Sequence, residues 1–136
     1  MVKKGVAWLK KKADAEFSKY IRHRDGEKRL DGWYSKCITC GAWKPLVAMQ
    51  NGHFVSRKAS VLRYDEENCN AQCVADNMFK QGDQYQYAIE LDKKYGDGTA
   101  VKLHAQRMDT HKWTTDELEQ IIKDAKEQVA WYVENN

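Results

Sequence analysis

The placement of its cysteines constrains this chain more than any other feature. Cys37-Ile-Thr-Cys40 is followed by Gly41, and a second cluster, Cys69-Asn-Ala-Gln-Cys73-Val-Ala-Asp76-Asn77, lies further along. Two-residue spacing lets one turn of backbone present two thiolates to the same ion, and zinc takes four such ligands as a tetrahedron. A redox pair has the same spacing, but no strand–helix–strand pattern surrounds Cys37 and Cys40, which argues for metal. Cys73 stands where a second knuckle would begin, with Asp76 in place of its second thiolate. The expected zinc ligands are therefore Cys37, Cys40, Cys73 and Asp76. Cys69 is the alternative fourth ligand, one turn before Cys73 if that segment is helical, and is otherwise a small buried hydrophobe.

The 136 residues suit a single domain, 1–136. About a third of the residues are charged and no apolar run approaches the roughly 20 needed to span a bilayer, so a water-soluble chain with no membrane partner is expected. Nothing apolar follows Met1-Val2-Lys3-Lys4 that would act as a secretory signal, and the thiols fit a reducing compartment such as the cytoplasm. Residues 1–68 hold 15 Lys/Arg against 8 Asp/Glu, whereas residues 69–136 hold 8 against 12. A basic front half fits a polyanion, though a solvated lysine face would look the same.

Three parts follow one another: a basic N-terminal helix (1–30), a metal core (31–82) and a helical C-terminal part (83–136). Val6, Leu9, Ala13, Phe17 and Tyr20 recur at helical steps, predicting a helix from about Lys3 to His23, ended by Asp25-Gly26. Short strands are expected over Trp33–Cys37 and Asn51–Ser56, with an antiparallel partner near Leu62–Tyr64. A helix carrying Asn77 in its first turn should follow the second knuckle. Gln84–Tyr95 should be a helix closed by Gly96, and Thr99–Met108 a second. The third begins at the capping box Thr114-Thr115-Asp116-Glu117 and carries a long apolar stripe from Leu118 to Val133.

Among four histidines, only His53 lies between the cysteine clusters, just after Gly52. Phosphodiester hydrolysis needs a base to deprotonate water and a cation to stabilise charge on the phosphate, so His53 is the candidate base. His23, His104 and His111 are adequately explained by surface or packing roles. Asn77 could offer a neutral oxygen to Mg²⁺, and Asn68 could brace the loop after Asp65-Glu66-Glu67. Arg57, Lys58 and Arg63 could hold phosphates, helped by Lys10, Lys11 and Lys12 on the first helix. Trp33, Tyr34 and Trp43 could stack on bases, with packing as the plainer explanation.

These motifs together resemble the phage NinG (Rap) recombination endonuclease family. The likeness is carried by Phe17-Ser-Lys-Tyr-Ile-Arg-His-Arg-Asp25, Cys37-Ile-Thr-Cys-Gly41 and Gly52-His-Phe-Val-Ser-Arg57. It continues through Leu62-Arg-Tyr-Asp-Glu-Glu-Asn68, Gln72-Cys-Val74, Asn77, Leu91 to Gly96, and His111-Lys-Trp-Thr114. The core layout is also similar to that of T4 endonuclease VII, a zinc-stapled HNH (ββα-metal) resolvase. The resemblance implies a metal-dependent, structure-selective endonuclease acting on branched DNA such as Holliday junctions, in a phage-infected host cell. It makes His53 the general base, Asn68 a further residue of the catalytic motif, Asn77 a ligand of Mg²⁺ or Mn²⁺, and Cys37, Cys40 and Cys73 zinc ligands. The chain departs from the family at Asp76, where a cysteine is usual, and at Asn70, where relatives carry histidine. Many HNH enzymes have an acidic metal ligand directly before the histidine. Here Gly52 stands there, as in the relatives, leaving Asp65 or Glu67 as candidates for that ligand.

The expected fold is α+β: a small zinc-stapled ββα-metal (HNH-like) core with an N-terminal helix and about three C-terminal helices. The expected function is endonucleolytic cleavage of branched DNA during phage recombination, with a non-catalytic, zinc-dependent branched-DNA-binding module as the alternative. A four-way junction is roughly two-fold symmetric and needs paired cuts, so a homodimer is expected, with the C-terminal stripe as candidate interface.

Overall fold

Helix α1 (Val6–Arg24) is the element around which the rest is arranged in this computed structural model, which describes residues 4–136. Its stripe of Leu9, Ala13, Phe17, Tyr20 and Ile21 is buried against Leu118 and Ala125 of α4 (Thr115–Glu134), and against Tyr64 and Cys69. Val6, expected on the same stripe, is exposed. Burial of each large apolar side chain stabilises by about 1.5–3 kcal/mol, so this pairing supplies much of the core. The start of α4 is fixed by the expected capping box: Thr114 Oγ1 accepts from Glu117 N at 3.2 Å and Glu117 Oε1 accepts from Thr114 N at 3.0 Å. The apolar stripe of α4 is thus taken up by α1 of its own chain. Trp131 and Val133 are its exposed large apolar residues.

Two small antiparallel sheets follow α1. Strands β1 (Gly26–Arg29), β2 (Gly32–Lys36) and β3 (Trp43–Pro45) form one, in sequential order. Strand β2 lies within a residue of the expected Trp33–Cys37, whereas β1 and β3 were not foreseen. The second sheet pairs β4 (Met49–His53) with β5 (Cys69–Cys73), in a register that sets His53 opposite Cys69 and Met49 opposite Cys73.

Two expectations need correction here. The expected strand Asn51–Ser56 begins and ends earlier, as β4. Its partner is not Leu62–Tyr64, because Leu62 closes a 3-10 turn (Ser60–Leu62) and plugs a second core with Phe54, Tyr87, Leu91 and Leu103. All five residues of β5 are buried, and a strand covered on both faces need not alternate, which hides it from periodicity.

After β5 the chain makes a single π-helical turn, Ala75–Phe79, rather than a longer helix. It stops because the chain reverses at Gln81, Gly82 and Asp83, all with positive φ. The result is a strand–strand–helical-turn unit with Asn77 in the turn. Helix α2 (Gln84–Tyr95) ends before Gly96 as expected. Helix α3 (Thr99–Ala105) stops three residues before the expected Met108. Together α2 and α3 close the second core beneath the β4–β5 hairpin. No described helix is long and apolar enough to cross a membrane.

Candidate functional site

The two cysteine-bearing turns meet. Cys37 follows β2, Cys40 lies in the turn after it, Cys73 ends β5 and Asp76 sits in the π turn. Their ligand atoms all lie within 4.8 Å of one another, so this cluster could hold a metal ion such as zinc. A tetrahedral ion with Zn–S of about 2.3 Å and Zn–O of about 2.1 Å sets S···S edges of about 3.8 Å and S···O edges of about 3.6 Å. Cys40 Sγ and Cys73 Sγ are 3.8 Å apart, and Cys37 Sγ is 3.7 Å from Asp76 Oδ2. The donor set therefore fits the ion.

Electrostatics agree. Burial opposes ionisation of Cys37, but Thr39 Oγ1 at 3.2 Å and surrounding backbone N–H groups, including that of Cys73, outweigh it and lower its pKa. Burial first, then the neighbouring Cys37, push Cys40 up to about 12. Crowded thiols that cannot all ionise alone call for a cation among them. The Thr39 hydroxyl, donating to Asp76 Oδ2 at 2.6 Å, and then Lys80 hold the Asp76 carboxyl below its usual range. Asp76 is thus an ionised ligand already oriented by a hydrogen bond.

The alternative ligand Cys69 is excluded by secondary structure. Cys69 to Cys73 is a strand, so the two lie about 13 Å apart at its ends rather than one helical turn apart. Cys69 is fully buried in the core against α1, and burial raises its pKa strongly.

A cleft of about 640 Å³ opens beside the metal cluster. It is lined by His53, Asn51 and Gln50 of β4, Arg57 and Arg63 of the following loop, Asn77 of the π turn, and Asp14, Ser18 and Arg22 of α1. Asp76 of this cluster directly precedes Asn77, so a metal ion bound there would also hold the turn that presents Asn77. The His53 Nε2 atom lies 3.0 Å from the Arg63 carbonyl oxygen. A carbonyl only accepts, so Nε2 carries the proton and Nδ1 is left as the basic nitrogen. Burial, countered by that hydrogen bond and reinforced by Arg57, holds the His53 pKa below its usual value, so the ring is neutral at pH 7. Asn77 donates from Nδ2 to Gln50 Oε1 at 2.6 Å, which leaves its own carbonyl oxygen without that duty. The buried Asn51 Oδ1 has no hydrogen-bond partner among the described residues. Oxygen donors of this kind suit a hard divalent cation.

The supporting residues divide sharply between the faces of the hairpin. Asn68 is fully buried. Its Oδ1 accepts from Val55 N at 2.8 Å, and its Nδ2 donates to Val55 O at 2.9 Å and Leu62 O at 3.3 Å. It braces the loop after His53 and does not reach the cleft. Asn70, paired with Gly52, faces away from His53. Its Oδ1 accepts from Arg24, Lys94 and Tyr95, and its Nδ2 donates to Glu67 O and to Tyr87. Asn70 therefore belongs to a buried network rather than to the cleft. Gly52 is required by contact: a Cβ there would lie 2.3 Å from Gln72 Oε1. Tyr87 donates to the Gly52 carbonyl at 2.6 Å, tying α2 to the strand beside His53.

Other expected residues fall elsewhere. Asp65 accepts from Glu67 N and Asn68 N, Glu67 pairs with Lys102, and neither lines the cleft. Lys58 lines a neighbouring groove with Phe54, His104 and Arg107. Lys10 and Lys12 lie off the cleft face of α1, whereas Lys11 shares the helical face of Asp14 and Ser18, about 4.5 Å along the axis from Asp14. Trp33 packs on His23, and Arg29 lies over Tyr34 and Trp43. Asp14, Ser18 and Arg22 were missed. Their i, i+4, i+8 spacing is the legible signal, a polar stripe beside the apolar one, but only packing of α1 against β4 makes it a cleft wall.

Against known proteins, the profile of the family described as "Bacteriophage Lambda NinG protein" matches residues 1–132. The chain belongs to this NinG family. It is 31% identical over 117 residues to "Protein ninG" of Escherichia phage 933W and of Salmonella phage P22, and 30% identical over 117 residues to that of Escherichia phage lambda. Each alignment covers 84% of this chain and 52% of the relative, so the chain spans about half the length of the curated relatives it matches. No solved structure matches.

Proposed function

We propose that this chain is an HNH-type endonuclease that hydrolyses phosphodiester bonds in branched DNA, acting in the cytoplasm of a phage-infected host. The observation that carries this is His53. Its ring is neutral, with Nε2–H committed to the Arg63 carbonyl and Nδ1 basic, in a cleft walled by Arg22, Arg57, Arg63 and Asn77. That combination supplies a base for water and cationic seats for phosphate oxygens. The sequence of β4, β5 and the π turn that carries Asn77 supports reading the core as a ββα-metal unit with its helix reduced to one turn, comparable to T4 endonuclease VII.

In this mechanism the scissile phosphate rests against the guanidinium groups of Arg57 and Arg63. The Nδ1 atom of His53 takes a proton from the attacking water, and the Arg63 carbonyl stabilises the imidazolium that results. The side-chain oxygen of Asn77 would hold Mg²⁺ or Mn²⁺, and such an ion would supply charge stabilisation at the phosphate. The zinc cluster has no part in the chemistry: it holds the turn that carries Asn77. Branch selectivity and a two-fold arrangement of two copies belong to the same proposal, with the partner surface outside the α4 stripe.

The test is incubation of labelled four-way junction and matched linear duplex with Mg²⁺ or Mn²⁺, beside His53→Ala. Cuts in the junction that vanish in the variant support the reading. Tight junction binding without cuts under either ion refutes it and leaves a branched-DNA-binding module.

A further inference from the structure

Among the described residues, Asp14 is the sole carboxylate lining the cleft, and two arginines converge on it. Arg63 donates to both of its oxygens, Nε to Oδ1 at 2.9 Å and Nη2 to Oδ2 at 2.5 Å, while Arg57 Nη1 donates to Oδ2 at 3.1 Å. The Arg63 side chain is only 18% exposed and that of Asp14 24%. A bidentate Arg–carboxylate pair in such a place holds a guanidinium in one orientation, where a free arginine would sample many. Arg63 matters twice, because its backbone carbonyl fixes the His53 ring. One carboxylate on α1 therefore anchors the residue that orients the base and the arginines facing the phosphate.

Resting on the endonuclease reading above, we propose that Asp14 is a positioning residue of the catalytic centre, aligning Arg57 and Arg63 beside His53 and making α1 part of the active site. With Arg22 in the same wall, the cleft holds three guanidinium groups against one carboxylate, so it keeps a net attraction for a phosphodiester while two of them are pre-oriented. Ordering charged groups before substrate arrives is how a site avoids reorganising during reaction.

Asp14→Asn separates this role from others, because simple charge and positioning predict opposite outcomes. Removing a negative charge from a cleft that binds a polyanion should leave junction affinity equal or tighter. Loss of alignment should nevertheless lower kcat, by about 100-fold for a misplacement near 1 Å. Asp14→Glu, which restores the charge, should recover part of the rate. The carboxylate also opposes the arginines' effect on His53, so the acid limb of the rate profile should move to lower pH in Asp14→Asn. Faster cleavage together with tighter binding would overturn the proposal, making Asp14 a competitor of the phosphate. Equal loss of rate and thermal stability, with no rescue by glutamate, would overturn it in favour of a bracing role. Absence of cleavage by the wild-type protein would count against the endonuclease reading alone. Asp14 is then read from the His53 titration by NMR, where an unchanged titration in Asp14→Asn overturns its link to the site.

Discussion

Replacing Asn68 with alanine tests how the loop behind His53 is held. Three hydrogen bonds go with the side chain, but their losses differ. Leu62 O keeps a second partner in Asp65 N at 3.2 Å, whereas Val55 N and Val55 O are left without one. Both belong to a residue that is itself buried. An orphaned buried backbone group costs about 1–3 kcal/mol, so two cost about 2–6 kcal/mol. A domain of this size has about 5–15 kcal/mol to lose, so Asn68→Ala should remove a large part of it. Denaturant unfolding of both proteins with metal held constant measures this, with the midpoint shifting and the slope unchanged.

Asn68→Asp sharpens the test, because the shape stays while the donor facing the two carbonyls is lost. A buried carboxylate there favours its protonated form, so its folded pKa is raised. The native state then binds more protons than the unfolded state between the two pKa values, and stability falls as pH rises. The penalty should be small below about pH 4 and grow by about 1.4 kcal/mol per pH unit above it until the folded pKa is reached. A loss under about 1 kcal/mol for Asn68→Ala, or a pH-independent loss for Asn68→Asp, would refute the bracing argument.

Further outcomes follow from the cysteine cluster and from His53. Thr39→Val removes the hydroxyl that donates to Asp76 and touches Cys37, and should weaken zinc binding by about 10–100-fold in a competition titration while leaving the ligands in place. Chelation should lower the melting temperature of the wild-type protein, and a chelator-indifferent melt would mean that the cluster holds no structural ion. Burial holds His53 below its ordinary pKa of about 6.5, so the unfolded state takes up a proton there before the native state does. Its contribution to stability is then present above about pH 6.5 and lost as pH falls through the folded value. Cleavage should likewise persist below pH 6.5, and an acid limb above that would contradict the buried, neutral base.

What the amino-acid order alone determined was local or periodic. The α1 stripe, the Thr114–Glu117 box, the α2 stop at Gly96 and the Cys37–Cys40 knuckle each depend on residues within a turn or two, where spacing translates directly into geometry. The α+β class and the candidate set of Cys37, Cys40, Cys73 and Asp76 were legible for the same reason. Only the tertiary structure decided which strand pairs with β4, and with it which face each side chain takes. Side chains alternate along a strand, so the β4–β5 register puts His53 toward the cleft and α1, and Asn70 into the network beneath. That pairing also separates Cys69 from the metal cluster. The cleft wall of Asp14, Ser18 and Arg22 depends on how a helix near the start of the chain docks on a strand far from it in sequence, and no local signal encodes that docking.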